Sequence, residues 1–527
     1  MSVSNDNPSS FHGAKKHGIL IVDLGTQYAQ LIARRVREAG AWSEIHPVQN
    51  ALKAIKGMDV EGIILSGGPS SVYGEGAPQV PDEIFEMGVP VLGICYGMQW
   101  MCRALGGSVE AGHEREFGRT NLHVDDHAGL LQGVPEQSTV WMSHGDKVTS
   151  LPNGFSVMAH SADCPFGAVG DPSRRLYGVQ FHPEVAHSEH GARVLRNFVL
   201  DICGLSGDWQ PANIAEHLIE QIKEQVGATG EVILGLSGGV DSSVAAVLMQ
   251  RAIGDRLHCI FVDNGLLRHG EREAIEIMFG KHFGMDLTTV DGEARFLEQL
   301  AGVTDPETKR KRIGHEFVEI FREEAKRFKN ANFLGQGTLY PDVIESVAVH
   351  GGNTAVIKSH HNVGGLPEDL ELGLVEPLRE LFKDEVRAIG RYLGLDDTVL
   401  MRQPFPGPGL AVRIVGEVNF DRCEMLRKAD HIVTSEIEAA GAHREMWQYF
   451  AVLLPLQSVG VMGDARTYEY TCAIRLVESS DGMTADWGYL ERDLLRRISS
   501  RIVSEVRGFN RVVLDISSKP PATIEWE

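Results

Sequence analysis

The sequence predicts an α/β protein: two parallel-sheet α/β domains in series, then a smaller α+β C-terminal domain. Three observations predict this. Short apolar runs alternate with stretches of helical apolar spacing, first over residues 18–106 and again over 232–334. Strand–helix alternation of this kind builds parallel sheets. The alternation then breaks at the proline- and glycine-rich Gln403–Gly409. A chain of 527 residues has room for three domains of about 100–200 residues each.

The elements follow in order. Residues 1–16 are polar, lack the apolar stretch of a signal peptide, and are expected to form a short disordered tail. Gly18–Val22 reads as a buried strand. Tyr28–Ala39 carries apolar residues at helical spacing, stopped by Gly40. Gly62–Leu65 and Val89–Ile94 are further strands. Beyond Gly107 the pattern changes to strands and turns, ending at Leu176–Phe181, and a helix over about 189–202 closes the unit. Gly204–Pro211 reads as a linker. Strands at Val232–Leu236 and Leu257–Val262 alternate with helices at Ser242–Ile253 and Glu271–Phe283, and Asn332–Leu334 is a later strand. After the break come a helix near 422–440, strands near 452–461 and 471–477, a helix near 492–506 and a last strand at Arg511–Ile516. The expected domains are therefore 17–206, 207–402 and 403–527.

Bulk properties narrow the function. Formal net charge is −22, from 72 acidic and 50 basic residues. Such a surface repels nucleic-acid phosphates, so no nucleic-acid partner is expected. No apolar run is long enough to span a bilayer; the most apolar stretch, Val89–Leu105, is interrupted by Gln99 and Arg103. The seven cysteines (95, 102, 164, 203, 259, 423 and 472) are odd in number and form no CxxC pair. That speaks against a disulfide framework or a zinc site, and for a reduced, cytoplasmic protein.

Gly93-Ile-Cys95-Tyr-Gly97 stands where a strand passes into a helix. Glycines flanking a nucleophile permit the sharp turn that leaves its side chain exposed at the sheet edge. The N-terminus of the next helix favours thiolate and aims the Tyr96 amide at a nearby oxyanion. A thiolate also needs a base and a group to orient it. Phe181-His182-Pro183-Glu184, just after a strand, supplies His182 and Glu184. The loop Ser66-Gly67-Gly68-Pro69 offers a second amide donor. Cys102, two turns along the same helix, reads as core.

On these residues, with Ser143-His144-Gly145-Asp146, the first domain resembles the class I glutamine amidotransferases. The resemblance implies that Cys95 attacks the glutamine side-chain amide, with His182 and Glu184 completing a triad and ammonia as product. It puts Gly68 and Tyr96 at the oxyanion, and Gln99, Ser143, His144 and Asp146 near bound glutamine.

The second constellation is Leu236-Ser237-Gly238-Gly239-Val240-Asp241-Ser242-Ser243, between a strand and a helix. Glycines let the backbone wrap phosphates, amides and hydroxyls donate to them, and Asp241 suits a magnesium ion bridging phosphates. The loop has no lysine and is not of the Walker type. It resembles the loop of the N-type ATP pyrophosphatases, which cleave ATP between the α and β phosphates and transfer AMP to a substrate oxygen. ATP with Mg2+ is then implied, with no bound organic cofactor. The strand end at Val262 is where adenosine recognition is expected, and Lys358 and Lys383 are candidate cations for the departing pyrophosphate. His360 and His361 are adjacent, do not share a ligand face, and read as a phosphate-binding or loop pair, not a metal site. Lys309-Arg-Lys-Arg312 heads a helix and reads as a solvated face, with a nucleotide-phosphate clamp as the alternative.

A glutaminase joined to such a loop implies amination of an adenylated oxygen but leaves the acceptor open. Relatives with other acceptors (NAD synthetase-like, asparagine synthetase-like) pair the loop with different glutaminases. A tRNA-thiolating enzyme needs working cysteines in the second half and a basic surface, neither of which is seen, and an intact triad speaks against a purely nucleotide-sensing protein. Pro404–Leu410, Val459–Asp464 and Lys519–Glu527 resemble the GMP synthetase family. That resemblance implies xanthosine 5'-monophosphate (XMP) as acceptor, with Arg310, Lys519 and Glu525 as contacts. It also implies glutamine and ATP as the other substrates, and a homodimer formed through the C-terminal domain. Trp526 suits either a dimer contact or the ordered tail.

Overall fold

The computed structural model describes residues 16–69, 71–343, 372–462, 465–479 and 484–527. The expected N-terminal tail lies outside them except for Lys16, as do Lys358, His360 and His361. The chain divides into two compact units, Met1–Ile214 and Ala215–Glu527.

In the first unit the apolar runs form the expected strands β1 (Lys16–Asp23), β2 (Ser43–Pro47), β3 (Met58–Leu65) and β4 (Val91–Ile94). After these come β5 (Ser108–Val124), β6 (Gln137–Ser150), β7 (Ser156–His160), β8 (Ala168–Asp171) and β9 (Leu176–Val179). They make one nine-stranded sheet in the order β2-β1-β3-β4-β9-β8-β7-β5-β6. The β2–β9 half is parallel, while β8, β7, β5 and β6 join antiparallel. The sheet is therefore mixed and not wholly parallel, because short turns such as the one between β8 and β9 can join only antiparallel neighbours. Ile19–Val22 are fully buried, as a run covered on both faces should be. Each such side chain contributes about 1.5–3 kcal/mol of burial.

The linker expected over 204–211 ends in a helix that the sequence reading missed, Pro211–Val226, with proline at its first position. In the second unit, β10 (Glu231–Gly235), β11 (Leu257–Asp263), β12 (Asp286–Asp291), β13 (Ala331–Gly335) and β14 (Gly373–Val375) form a wholly parallel sheet. Its order is β12-β11-β10-β13-β14. The direction of winding reverses at β10. In such sheets, ligands bind beyond the carboxyl ends of the strands at this switch point.

The last segment carries the helix Phe420–Ala439, a long hairpin of β15 (Gln448–Met462) and β16 (Ala465–Glu478), short β17 (Asp486–Trp487), the helix Arg492–Glu505 and β18 (Phe509–Asp515). β18 pairs parallel with β16. This segment shares a core with the parallel sheet: Ile233, Ile260 and Leu266 cluster with Leu410, Ile414, Leu426, Ile474 and Ile498.

Candidate active sites

At the end of β4 the chain turns under tight constraint. A Cβ on Gly93 would lie 2.5 Å from the Met98 nitrogen, and one on Gly97 would lie 2.4 Å from the Leu65 carbonyl oxygen. Only glycine fits either place. Between them Cys95 has φ 50° and ψ −106° and caps the helix Tyr96–Ala104. This is a costly conformation for a residue with a Cβ, of the kind that concentrates at functional sites.

His182 follows β9. Its amide donates to the Trp141 carbonyl (3.0 Å), and its own carbonyl accepts from Ser188 Oγ (2.6 Å), so the backbone is held on both sides. Its Nδ1 lies 2.8 Å from Glu184 Oε1, with both side chains buried. With that nitrogen donating to the carboxylate, Nε2 is the nitrogen left to exchange a proton. Burial alone pushes the imidazole down, but its contacts with Cys95 and Glu184 outweigh this and lift it to about 10. The three groups thus form a thiol, a strongly basic imidazole and a fully buried orienting carboxylate. Glu184→Gln should lower glutamine hydrolysis roughly tenfold to a hundredfold, less than a serine enzyme would lose, because thiols need less assistance. It should also lower the pH at which His182 gives up its proton, since a raising partner is gone. NMR titration of His182 alongside the pH profile of glutamine hydrolysis checks both.

The expected oxyanion loop stands against this group. A Cβ on Gly67 would meet His182 Cε1 at 3.1 Å, and one on Gly68 would meet the Tyr96 ring at 3.4 Å. Ser66 stitches the strand ends together: its Oγ accepts from the Leu24 amide (2.9 Å), and its carbonyl accepts from the Gly97 amide (3.1 Å). Ser143 is also brought in, its carbonyl oxygen lying 3.7 Å from Cys95 Sγ. Gln99 is buried and already committed: its amide donates to the Asp146 carbonyl (2.7 Å) and to Gln180 Oε1 (3.2 Å). His144 faces Glu116 at 3.1 Å, and burial pushes its imidazole down. Gln180, whose Nε2 lies 3.6 Å from Cys95 Sγ, was not picked out from the sequence, nor was Tyr28, packed edge-on to His182. Gln180 interrupts an apolar strand run directly before Phe181-His182, which is the signal that was available.

The second site lies at the carboxyl end of β10. Gly238 has φ +72°, and Gly239 caps the helix Val240–Ile253. Ser237 and Ser242 share a hydrogen bond (2.9 Å), while the buried Ser243 donates back to the Gly239 carbonyl (2.7 Å) and so shapes the turn. Both Asp241 oxygens accept from Lys383 Nζ at 2.6 Å, which unites two residues singled out separately. The loop after β13 also arrives here: a Cβ on Gly337 would lie 3.1 Å from the Asp241 carbonyl carbon. Val262, at the end of β11, is buried in the core.

Among the C-terminal candidates, Arg310 donates to the backbone carbonyl of Glu527. Glu525 accepts two bonds from Arg413, at 2.9 and 3.1 Å, and Lys519 pairs through its backbone with Ala485. Arg413, fully buried over the Phe450 ring at 3.8 Å, was missed from the sequence. The solvated-face reading of 309–312 fails at Lys309, which is fully buried. Its partners, the Ala411 and Ile414 carbonyls and the Glu527 side chain, lie far along the chain.

Family models match three stretches: glutamine amidotransferase class-I over residues 20–202, NAD synthase over 212–309, and the GMP synthase C terminal domain over 435–526. The curated GMP synthase [glutamine-hydrolyzing] of Maridesulfovibrio salexigens is 55% identical, covering 97% of this chain and 99% of its own. That of Rhizobium etli is 55% identical over 98% and 100%, and that of Zymomonas mobilis 56% over 97% and 97%. Identity of this level over nearly the whole of each chain settles the kinship: the protein belongs to the glutamine-hydrolysing GMP synthase family.

Proposed function

We propose that the protein makes GMP from XMP, using ATP and ammonia cut from glutamine. The observation that carries this reading is the joint presence, in a member of this family, of Cys95 on a strained turn beside the His182–Glu184 pair and of a phosphate loop at a sheet switch point. Residues 17–206 act as the glutaminase, 207–402 as the ATP pyrophosphatase, and 403–527 as the XMP-binding and dimerisation segment.

In the first half-reaction Cys95 attacks the glutamine amide and His182 moves the proton to departing ammonia. The amides of Gly68 and Tyr96 receive the oxyanion, and Gln99, Ser143, His144 and Asp146 shape the glutamine pocket. Water then hydrolyses the glutamyl thioester. In the second half-reaction the XMP 2-oxygen attacks the ATP α-phosphate and pyrophosphate leaves. Ammonia then displaces AMP, because a carbonyl oxygen is a poor leaving group until it is adenylylated. Ser237, Gly238, Gly239, Val240, Ser242 and Ser243 form the phosphate cradle, Val262 lines the adenosine side, and Lys358 and Lys383 face pyrophosphate. Arg310, Lys519 and Glu525 contact XMP.

The residues fit magnesium. Asp241 offers a partly exposed hard-oxygen donor in the first helical turn, and one carboxylate plus phosphates is a common magnesium set. Bound there, the ion would neutralise charge on the phosphates. Synthesis of GMP from XMP, ATP, Mg2+ and glutamine, followed chromatographically, tests the whole reading; absence of product with either glutamine or ammonium would refute it.

The protein works in the cytoplasm as a homodimer joined through 403–527. Supporting this, Leu456, Val459, Val461, Tyr468 and Ile516 are all at least 60% exposed in that segment, a density of apolar surface that marks an interface. Light scattering should give twice the chain mass, and Val461→Glu with Tyr468→Glu should shift it towards the monomer.

A further inference from the structure

Three cationic side chains are fully buried around the last residues of the chain: Lys309, Arg413 and Arg475. Arg475 donates to the carbonyls of Ser517 (2.7 Å) and Thr523 (3.3 Å), and Arg413 holds the Glu525 carboxylate. Lys309, in the helix Pro306–Ala325, makes the third hold. Its ammonium donates to the Ile414 carbonyl (2.7 Å), the Ala411 carbonyl (3.2 Å) and the Glu527 side chain. Those three acceptors use all three of its protons. The other Glu527 oxygen accepts from the Gly416 amide at 3.0 Å.

A buried lysine is costly, and burial pulls its proton affinity down. Hydrophobic residues would hold a helix to a loop as well or better. An ion pair in such a place instead fixes geometry. The pair joins three pieces: the helix that carries Arg310, the 409–416 turn that carries Arg413, and the chain end that carries Glu525. Arg310 itself donates to the Glu527 carbonyl, so docking of the last residue sets where that guanidinium lies.

We infer that Lys309 and Glu527 are a positioning pair for the XMP site, locking the chain end so that Arg310, Arg413 and Glu525 converge. The inference rests on the proposed reading of the tail and Arg310 as XMP-binding. Lys309 is a positioning residue and does not touch substrate.

The test uses the full chain with ammonium as nitrogen source, so that the glutaminase does not enter. Lys309→Met, Glu527→Gln and the double variant are each assayed for the KM of XMP at saturating ATP and the KM of ATP at saturating XMP. Lys519→Ala serves as the check on the tail reading. Each single change should raise the XMP KM about ten- to a hundredfold, the worth of one charge-assisted contact, and leave the ATP KM within about twofold. The double variant should lose less than the product of the two, because it, unlike either single change, leaves no buried charge unpaired.

A purely structural pair would lower the melting temperature with both KM values unchanged, or move both together; either result overturns the proposal. If Lys309→Met does not fold, Glu527→Gln decides, because glutamine is nearly isosteric and keeps an acceptor oxygen for Lys309. A raised XMP KM in Lys519→Ala with none in Glu527→Gln overturns the positioning pair alone. No change in Lys519→Ala removes the tail reading, and the pair with it.

Discussion

Cys95→Ala should abolish GMP formation from glutamine while leaving formation from ammonium salts, at mildly alkaline pH, close to the parent rate. The loss with glutamine should be on the order of 10⁴–10⁶-fold, as for other enzymes deprived of their nucleophile. No other thiol in the first unit can substitute. Cys102 and Cys164 are buried, and burial pushes each thiol up to about 12; burial raises Cys203 as well. Among the described cysteines, Cys95 alone stands on the strained turn at a helix start, beside the His182 imidazole. Alanine retains a Cβ, so the strained backbone, the two close-packed glycines and the oxyanion loop meet no new steric demand. The His182–Glu184 pair keeps its 2.8 Å contact, because it does not depend on the thiol. The decisive quantity is the ratio of glutamine-driven to ammonium-driven rates. An unchanged ratio would mean that Cys95 is a core residue and the first site has been misassigned.

How much of this was legible depends on how local the cause is. The elbow was legible because its requirements lie within five residues: two glycines where a Cβ would strike backbone, and a cysteine between them. The contact between His182 and Glu184 was legible because a strand end places the two together. Gln180 and its link through Gln99 to the Asp146 carbonyl were not, since that chain of bonds exists only once β9, the Tyr96–Ala104 helix and β6 are assembled. Lys309 was misread for the same reason: its partner Glu527 is 218 residues away, and a basic run at a helix start looks alike whether wet or buried. The antiparallel half of the first sheet was hidden because strand direction leaves no trace in apolar periodicity. The helix Pro211–Val226 is different. Its apolar residues Ile214, Leu218, Ile222 and Val226 recur every fourth position, so the signal was present, but the linker reading stopped at Pro211 and no element was assigned beyond it.

Asp241→Asn should remove synthesis with both nitrogen sources, by about 10³-fold, the scale of losing one preorganised electrostatic group at a reacting centre. It should leave hydrolysis of glutamine without XMP and ATP intact. The fold should tolerate the change: the Asp241–Lys383 pair is 30% and 41% exposed, and such pairs add little stability. The pair raises a question the sequence did not pose. Asp241 has both oxygens on Lys383 at 2.6 Å, so its importance can come from holding magnesium or from aiming the lysine. The two roles differ in what they do to the metal requirement. If Asp241 is a magnesium donor, the asparagine variant keeps one weaker oxygen and needs more Mg2+ for half-maximal rate. Lys383→Met, which frees the carboxylate, then needs no more than the parent while its KM for ATP rises. If Asp241 only aims the lysine, the two variants should match each other in both respects. We expect the first pattern, because Asp241 stands in the first turn of the helix that opens the phosphate loop, where an anion without a cation of its own would repel the phosphates that the helix N-terminus attracts. Lys383 supplies that cation here, and were Asp241 to hold a divalent ion, the ion would supply the charge in its place and leave the lysine for pyrophosphate. Full activity in Asp241→Asn with either nitrogen source would remove the loop from the ATP site altogether.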